Sequence, residues 1–232
     1  VAQSLNAQTN AGSQVHYSLP LFLTRQNKYI SVVLMLAFAG GVYLLSNHFP
    51  LTTPRYLPMS WIDQAIPLVP WTVWIYISET FLFFTAYFLF KDMTNANKYI
   101  YSFLGLQLVS VAIFWFWPTT YPRAEYPLPS DLDALTFYVF NGLRNLDSPG
   151  NCCPSLHVSS CYLTSFIFLD EQKEKFPIFF CWATAVAVTT LTTKQHYIID
   201  IATGFLMAVI FYYIFHRFVS YRPIRAGLQP NR

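Results

Sequence analysis

Six apolar runs, most near the length of a bilayer-crossing helix, dominate the chain, at about 29–47, 71–90, 99–117, 155–169, 177–193 and 197–218. About 20 apolar residues in a helix cover the hydrocarbon core of a membrane, and a soluble domain of this length could not bury so many such runs. The composition agrees: 54% of the residues are hydrophobic and only 11% charged, against roughly 25% charged in ordinary soluble domains. The expected fold is all-α, a polytopic membrane protein of six transmembrane helices. No internal repeat or second domain is visible. A polar tail over 1–24, a single membrane domain over 25–220 and a second tail over 221–232 describe the organisation.

Two regions depart from plain apolar helix. Runs four and five are short and contain Ser, Thr and His, which predicts that they line something polar. Between runs one and two, Pro50, Pro54, Pro58, Pro67 and Pro70 surround Trp61 and Ile62, the pattern of an interfacial loop or short amphipathic helix. The cations orient the runs, because cytoplasmic loops carry an excess of Lys and Arg. Arg25, Lys28, Lys91, Lys98, Lys173, Lys175, Arg217, Arg222, Arg225 and Arg232 fall on one face, and Arg55, Arg123, Arg144 and Lys194 on the other. That ten-to-four division predicts cytoplasmic termini, with 48–70, 118–154 and 194–196 on the extracytoplasmic side. A net charge of +3, scattered along the chain, leaves no footprint for nucleic acid. Cys152, Cys153, Cys161 and Cys181 lack the CxxC spacing of zinc or redox motifs and are expected to be packing residues.

The chemistry-bearing residues meet at the extracytoplasmic face. One segment reads Asn151-Cys152-Cys153-Pro154-Ser155-Leu156-His157, and the last run opens Lys194-Gln195-His196-Tyr197-Ile198-Ile199-Asp200. Residues four apart share a helix face, so Asp200 can accept the proton of one His196 nitrogen and leave the other as a nucleophile. His157 at the mouth of run four is placed to be the general acid for a leaving oxygen. Ser155 at a helix start, with Arg123, Lys194 and Arg144, offers donors and positive charge to a phosphoryl group. A lone histidine is more often a core residue than a catalyst. An ionisable pair inside a span is costly and is usually retained for function. Glu79 within run two is expected to pair or to line a cavity, and Asp147 and Asn151 to orient Arg144 or the loop. Trp115, Trp117, Tyr121 and Tyr197 fit an aromatic belt.

At these residues the chain resembles the type 2 phosphatidic acid phosphatase superfamily, which carries the motifs KxxxxxxRP, PSGH and SRxxxxxHxxxD. Pro154-Ser155-Leu156-His157 matches the second and His196 to Asp200 the third, and the resemblance covers a phosphatase-like core over about 100–218. Leu156 replaces the glycine of PSGH, Thr189-Thr190 stands where the third motif has Ser-Arg, and Arg123 is followed by Ala124 with Phe116 in place of the lysine. PSLH together with the KxHYxxDxxxG run from Lys194 to Gly204 is closest in form to the inositol phosphorylceramide synthase-like branch. The resemblance implies a membrane lipid-phosphate phosphatase or phosphotransferase. His196 would become a phosphohistidine, the substrate would be a phospholipid or isoprenoid-type lipid phosphate, and no metal or cofactor would be needed. A head-group transferase that uses an alcohol acceptor lipid is the alternative within that chemistry. A small lipid transporter or flippase is the alternative of another class; it calls for inverted repeats and interrupted helices, and neither is visible.

Overall fold

A computed structural model describes residues 17–223, so the expected tails over 1–24 and 221–232 lie mostly outside the described residues. In chain order the elements begin with β1 (Tyr17–Leu21), α1 (Lys28–His48), β2 (Arg55–Tyr56) and α2 (Trp61–Ala65). Next come α3 (Val73–Ile77), α4 (Glu79–Leu89), α5 (Met93–Phe116), β3 (Thr119–Thr120) and α6 (Ala134–Leu146). The remainder are α7 (Leu156–Phe166), α8 (Phe168–Glu171), α9 (Phe176–Thr192), α10 (Ile198–Arg217) and β4 (Val219–Pro223). Among the described residues five helical stretches are long and apolar enough to cross a membrane: Lys28–His48, Pro70–Leu89, Met93–Phe116, Lys173–Thr192 and Ile198–Arg217. That is the make-up of an integral membrane protein.

The fourth run does not satisfy the same measure of length and apolarity. It breaks into α7 and α8, and α7 is the centre of the bundle, packed against α4, α5, α9 and α10. Its hydroxyls are absorbed locally: Ser159, Thr164 and Ser165 donate to the Leu156, Ser160 and Tyr162 carbonyls. A polar helix is tolerated here because apolar helices surround it. Their outer faces stay uncovered, as Leu34, Phe38, Phe81, Phe88, Ile178 and Leu206 show, an extent of exposed apolar surface that water would disfavour.

Local chemistry explains where several elements begin. Asp92 caps α5 by accepting the Thr94 N–H at 2.7 Å, so that helix starts at Met93 and not near 99. Asn97 on its first turns accepts the Phe22 and Leu23 N–H groups at 3.1 and 3.0 Å, fastening the chain before α1. Run two is broken at Ser78, whose Oγ donates to the Ile75 carbonyl at 2.6 Å and accepts from Trp182 Nε1. In α2, Ser60 and Asp63 form a reciprocal capping box, which bears out a short helix around Trp61. The segment 118–154, expected as loop, contains α6, started by Asp133, whose side chain accepts the Thr136 N–H at 2.9 Å.

Both ends of the described chain meet: β1 pairs in parallel with β4, Tyr17 opposite Val219. At the other end of the bundle β2 pairs with β3, Arg55 opposite Thr119, and the segments before α2, around α6 and before α7 and α10 converge there.

Candidate active site

At that convergent end, α9 closes on Lys194, whose φ of 57° is left-handed, a common way to stop a helix. The Gln195 and His196 N–H groups turn back to the Thr190 carbonyl at 2.9 and 3.2 Å. His196 thus precedes α10 with its ring facing inward. Its Nδ1 lies 3.0 Å from the Cys152 carbonyl oxygen and 3.2 Å from Asp200 Oδ2. Both partners only accept, so Nδ1 carries the hydrogen and the lone pair resides on Nε2. Asp200 is fully buried, also takes the Tyr197 N–H at 2.9 Å, and keeps Oδ1 without a partner.

Ser155 caps α7, its Oγ accepting the Val158 N–H at 3.4 Å, and its own N–H donates to the Asp200 carbonyl at 3.1 Å. The two helix starts are therefore tied directly. The approach requires Gly204 on α10, where a Cβ would come within 2.6 Å of the Ser155 carbonyl oxygen. This contact sets His157, the second residue of α7, with its ring 5.8 Å from that of His196, centre to centre.

His157 has partners that local sequence pattern does not supply. Its Nε2 is 2.9 Å from the Tyr76 hydroxyl and 3.5 Å from Glu79 Oε1, while Nδ1 is buried and unpartnered. Glu79 was expected to pair or to line a cavity; it does both, for it also lines a cavity beneath His157. Tyr43 of α1 packs edge-on against the His157 ring at 5.9 Å and donates its hydroxyl to Asp147 Oδ1 at 2.6 Å.

Asp147 in turn holds Arg123, and not Arg144: Arg123 reaches its carbonyl at 2.5 Å and its carboxylate at 3.1 Å, with Nε unpartnered. Arg144 donates to the Tyr126 carbonyl at 3.0 Å and lies over the Phe140 ring, leaving Nε and one terminal nitrogen without partners. Burial, and then the adjacent Arg123 charge, lower the Arg144 guanidinium from its usual range. The expected phosphate-binding residues thus separate. Ser155 lies at the paired helix starts, and Arg123 and Arg144 form a cationic pair at the loop side. Lys194 is taken up elsewhere, donating to the Asp63 and Ile66 carbonyls at 3.0 and 2.5 Å. There it also lies over the Tyr126 ring, and burial lowers its ammonium. Thr189 and Thr190 bond to carbonyls of their own helix.

Three of the cysteines are buried and Cys181 is exposed on α9, so the packing role fits the first three. Donor atoms of Cys152, His196 and Asp200 lie within 4.8 Å of one another. Burial and then the Asp200 charge push the Cys152 thiol well up, so a cation there would have to displace a tightly held proton. The donor set suits a histidine oriented by a carboxylate better than a metal centre. Comparison with known proteins supplies a family: the model described as PAP2 superfamily matches residues 55–214, more than half of the chain. Among curated proteins none matches the chain.

Proposed function

The chain belongs to the PAP2 superfamily, and on that premise we propose that it is a membrane enzyme which removes or transfers the phosphate of a lipid through a phosphohistidine. The observation that carries this reading is the His196 tautomer: Nδ1–H held by Asp200 and the Cys152 carbonyl leaves Nε2 free, with the His157 ring beside it.

In this mechanism the His196 Nε2 lone pair attacks phosphorus while the bond from phosphorus to the lipid oxygen breaks. His157, protonated, gives its proton from Nδ1 to that oxygen, with Nε2 oriented by Tyr76 and Glu79. Asp200 balances the positive charge that develops on the His196 ring. Ser155 and the cationic pair of Arg123 and Arg144 attract the equatorial oxygens of the phosphoryl group, and Lys194 anchors the segment from Asp63 to Ile66. Water then attacks phosphorus, the bond to Nε2 breaks, His157 regains a proton, and phosphate leaves.

Transfer differs only in the second step, where a lipid alcohol enters in place of water. The PSLH form and the KxHYxxDxxxG run favour that outcome and the inositol phosphorylceramide synthase-like branch. The proposed topology has six passes, the sixth being α7 with α8, both termini in the cytoplasm and the site on the extracytoplasmic or lumenal side. Purified protein offered a panel of lipid phosphates is expected to release phosphate, or to form a new phospholipid when an alcohol acceptor is added. The His196→Ala variant, folded by circular dichroism, is expected to do neither. Undiminished turnover in that variant would overturn the mechanism.

A further inference from the structure

Beneath His157 a cavity of about 250 Å³ runs between α1, α4, α5 and α7. That is many times the space a single water needs, too large for a packing fault. Its walls are mainly apolar, supplied by Leu36, Ala39, Phe83, Phe103 and Leu156. At Gly40 of α1 the lining reaches the exposed surface, and a Cβ there would meet nothing within 4 Å. The cavity therefore opens sideways, between helices and toward the apolar exterior.

One feature of the wall is out of keeping with a plain hydrocarbon slot. Gln107 of α5 is 4% exposed and lines the cavity with Ser160. Its Nε2 reaches Ser160 Oγ at 3.3 Å, and its Oε1 has no partner among the described residues. Exchanging the amide oxygen and nitrogen leaves the same deficit at the other atom. Either way a buried amide end awaits a hydrogen bond, which is costly to leave unmade. Ser160 is three residues past His157, about 4.5 Å deeper along α7.

We propose that this cavity takes the body of the lipid whose oxygen faces His157, and that Gln107 selects lipids carrying an ester, amide or hydroxyl group a few bonds from the phosphate. Glycerolipid and sphingoid backbones have such a group at that depth. Isoprenoid and simple alkyl phosphates offer only hydrocarbon there and leave the amide unmet. The assignment of the leaving oxygen to His157 rests on the proposed mechanism; the selectivity of the cavity can be read independently of it.

The test uses purified full-length protein in detergent micelles with two probes of each kind: phosphatidic acid and diacylglycerol against hexadecyl phosphate and hexadecanol. Competition against a fluorescent lipid reads binding, and phosphate release reads turnover. The backbone-bearing lipids are expected to bind about tenfold tighter, the worth of one buried hydrogen bond. The Gln107→Leu variant is expected to reduce that ratio toward one, chiefly by weakening diacylglycerol. The Gly40→Leu variant, which has open space for its side chain, is expected to weaken both lipids by obstructing the mouth. Selective binding without turnover of any lipid phosphate would remove the catalytic reading and leave the cavity assignment standing. Equal binding of the two classes in the native protein, as a water-satisfied Gln107 would give, overturns the proposal even if phosphate is released. A ratio unchanged in Gln107→Leu overturns it as well.

Discussion

The Arg123 guanidinium is gripped by both the carbonyl and the carboxylate of Asp147, and the same carboxylate accepts the Tyr43 hydroxyl. Among the described residues Arg144 has no acidic partner, and two of its nitrogens are unsatisfied. The two arginines therefore separate by experiment. Arg123→Ala leaves a buried carboxylate without its cation, a loss of about 3–5 kcal/mol, and is expected to lower the thermal unfolding midpoint sharply. Arg144→Ala removes orphan donors and a like charge, so the midpoint is expected to hold while KM for a lipid phosphate rises about 10- to 100-fold. Unfolding curves and steady-state kinetics on both variants check this; an unchanged KM in Arg144→Ala would remove it from the phosphate site. Sequence revealed these cations but not their partners. Which arginine Asp147 holds depends on how 118–154 folds, and α6 within that segment, 13 residues long, falls short of a membrane-length apolar run. The pairing of His196 with Asp200 was legible because four residues is a local separation, although His196 stands just before α10 and not on it. Tyr76 and Glu79 reach His157 across about 80 residues of chain, where no short pattern operates.

The junction of α7 with α10 carries the geometry of the site, and it depends on the absence of one methyl group. With Ser155 N–H bonded to the Asp200 carbonyl and Gly204 beneath it, the two helix starts sit close enough for the histidine rings to face each other. Alanine at 204 would gain about 1 kcal/mol in helix propensity. Its Cβ at 2.6 Å from a backbone oxygen forces the helices apart, an overpacking cost of about 1–3 kcal/mol. The steric cost wins because a backbone carbonyl cannot rotate away. Gly204→Ala is expected to fold with slightly reduced stability yet to lose about 100-fold in kcat/KM, the consequence of displacing a reacting group by about 1 Å. Retention of full kcat/KM would show that the spacing of the two helices is not critical. The glycine was visible in the sequence as the end of the KxHYxxDxxxG run. Its physical reason was not, because the oxygen it accommodates belongs to a residue 49 positions away. Sequence located the long apolar helices within a few residues, and missed the break at Ser78 and the early start of α5, where single side-chain hydrogen bonds override hydropathy.

At the scale of the whole molecule, the β1 and β4 pairing sets a parity. In the proposed topology the two ends of the described chain, joined in one sheet, share one side of the bilayer, so the chain between them crosses an even number of times. Five stretches qualify by length and apolarity, and the proposed sixth crossing is α7 with α8, which hydropathy undervalues because its hydroxyls are turned inward. The rim at the other end fits the interface: Phe49, Tyr56, Trp61, Phe116, Trp117 and Tyr138 are all exposed there, an aromatic girdle of the kind found at headgroup level. With the ten-to-four division of cations, the proposed topology has Ser130, exposed before α6, outside the cell or in the lumen, and Glu174, exposed between α8 and α9, in the cytoplasm. In a Cys181→Ser background, which removes the exposed thiol, a membrane-impermeant maleimide applied to intact cells or sealed vesicles of native orientation is expected to label the Ser130→Cys variant. The Glu174→Cys variant is expected to react only after permeabilisation, since two crossings, α9 and α10, separate it from β4, whereas three, α7–α8, α9 and α10, separate Ser130 from β4. Labelling of both positions from one side would break the parity and return α7 to a buried, non-spanning helix.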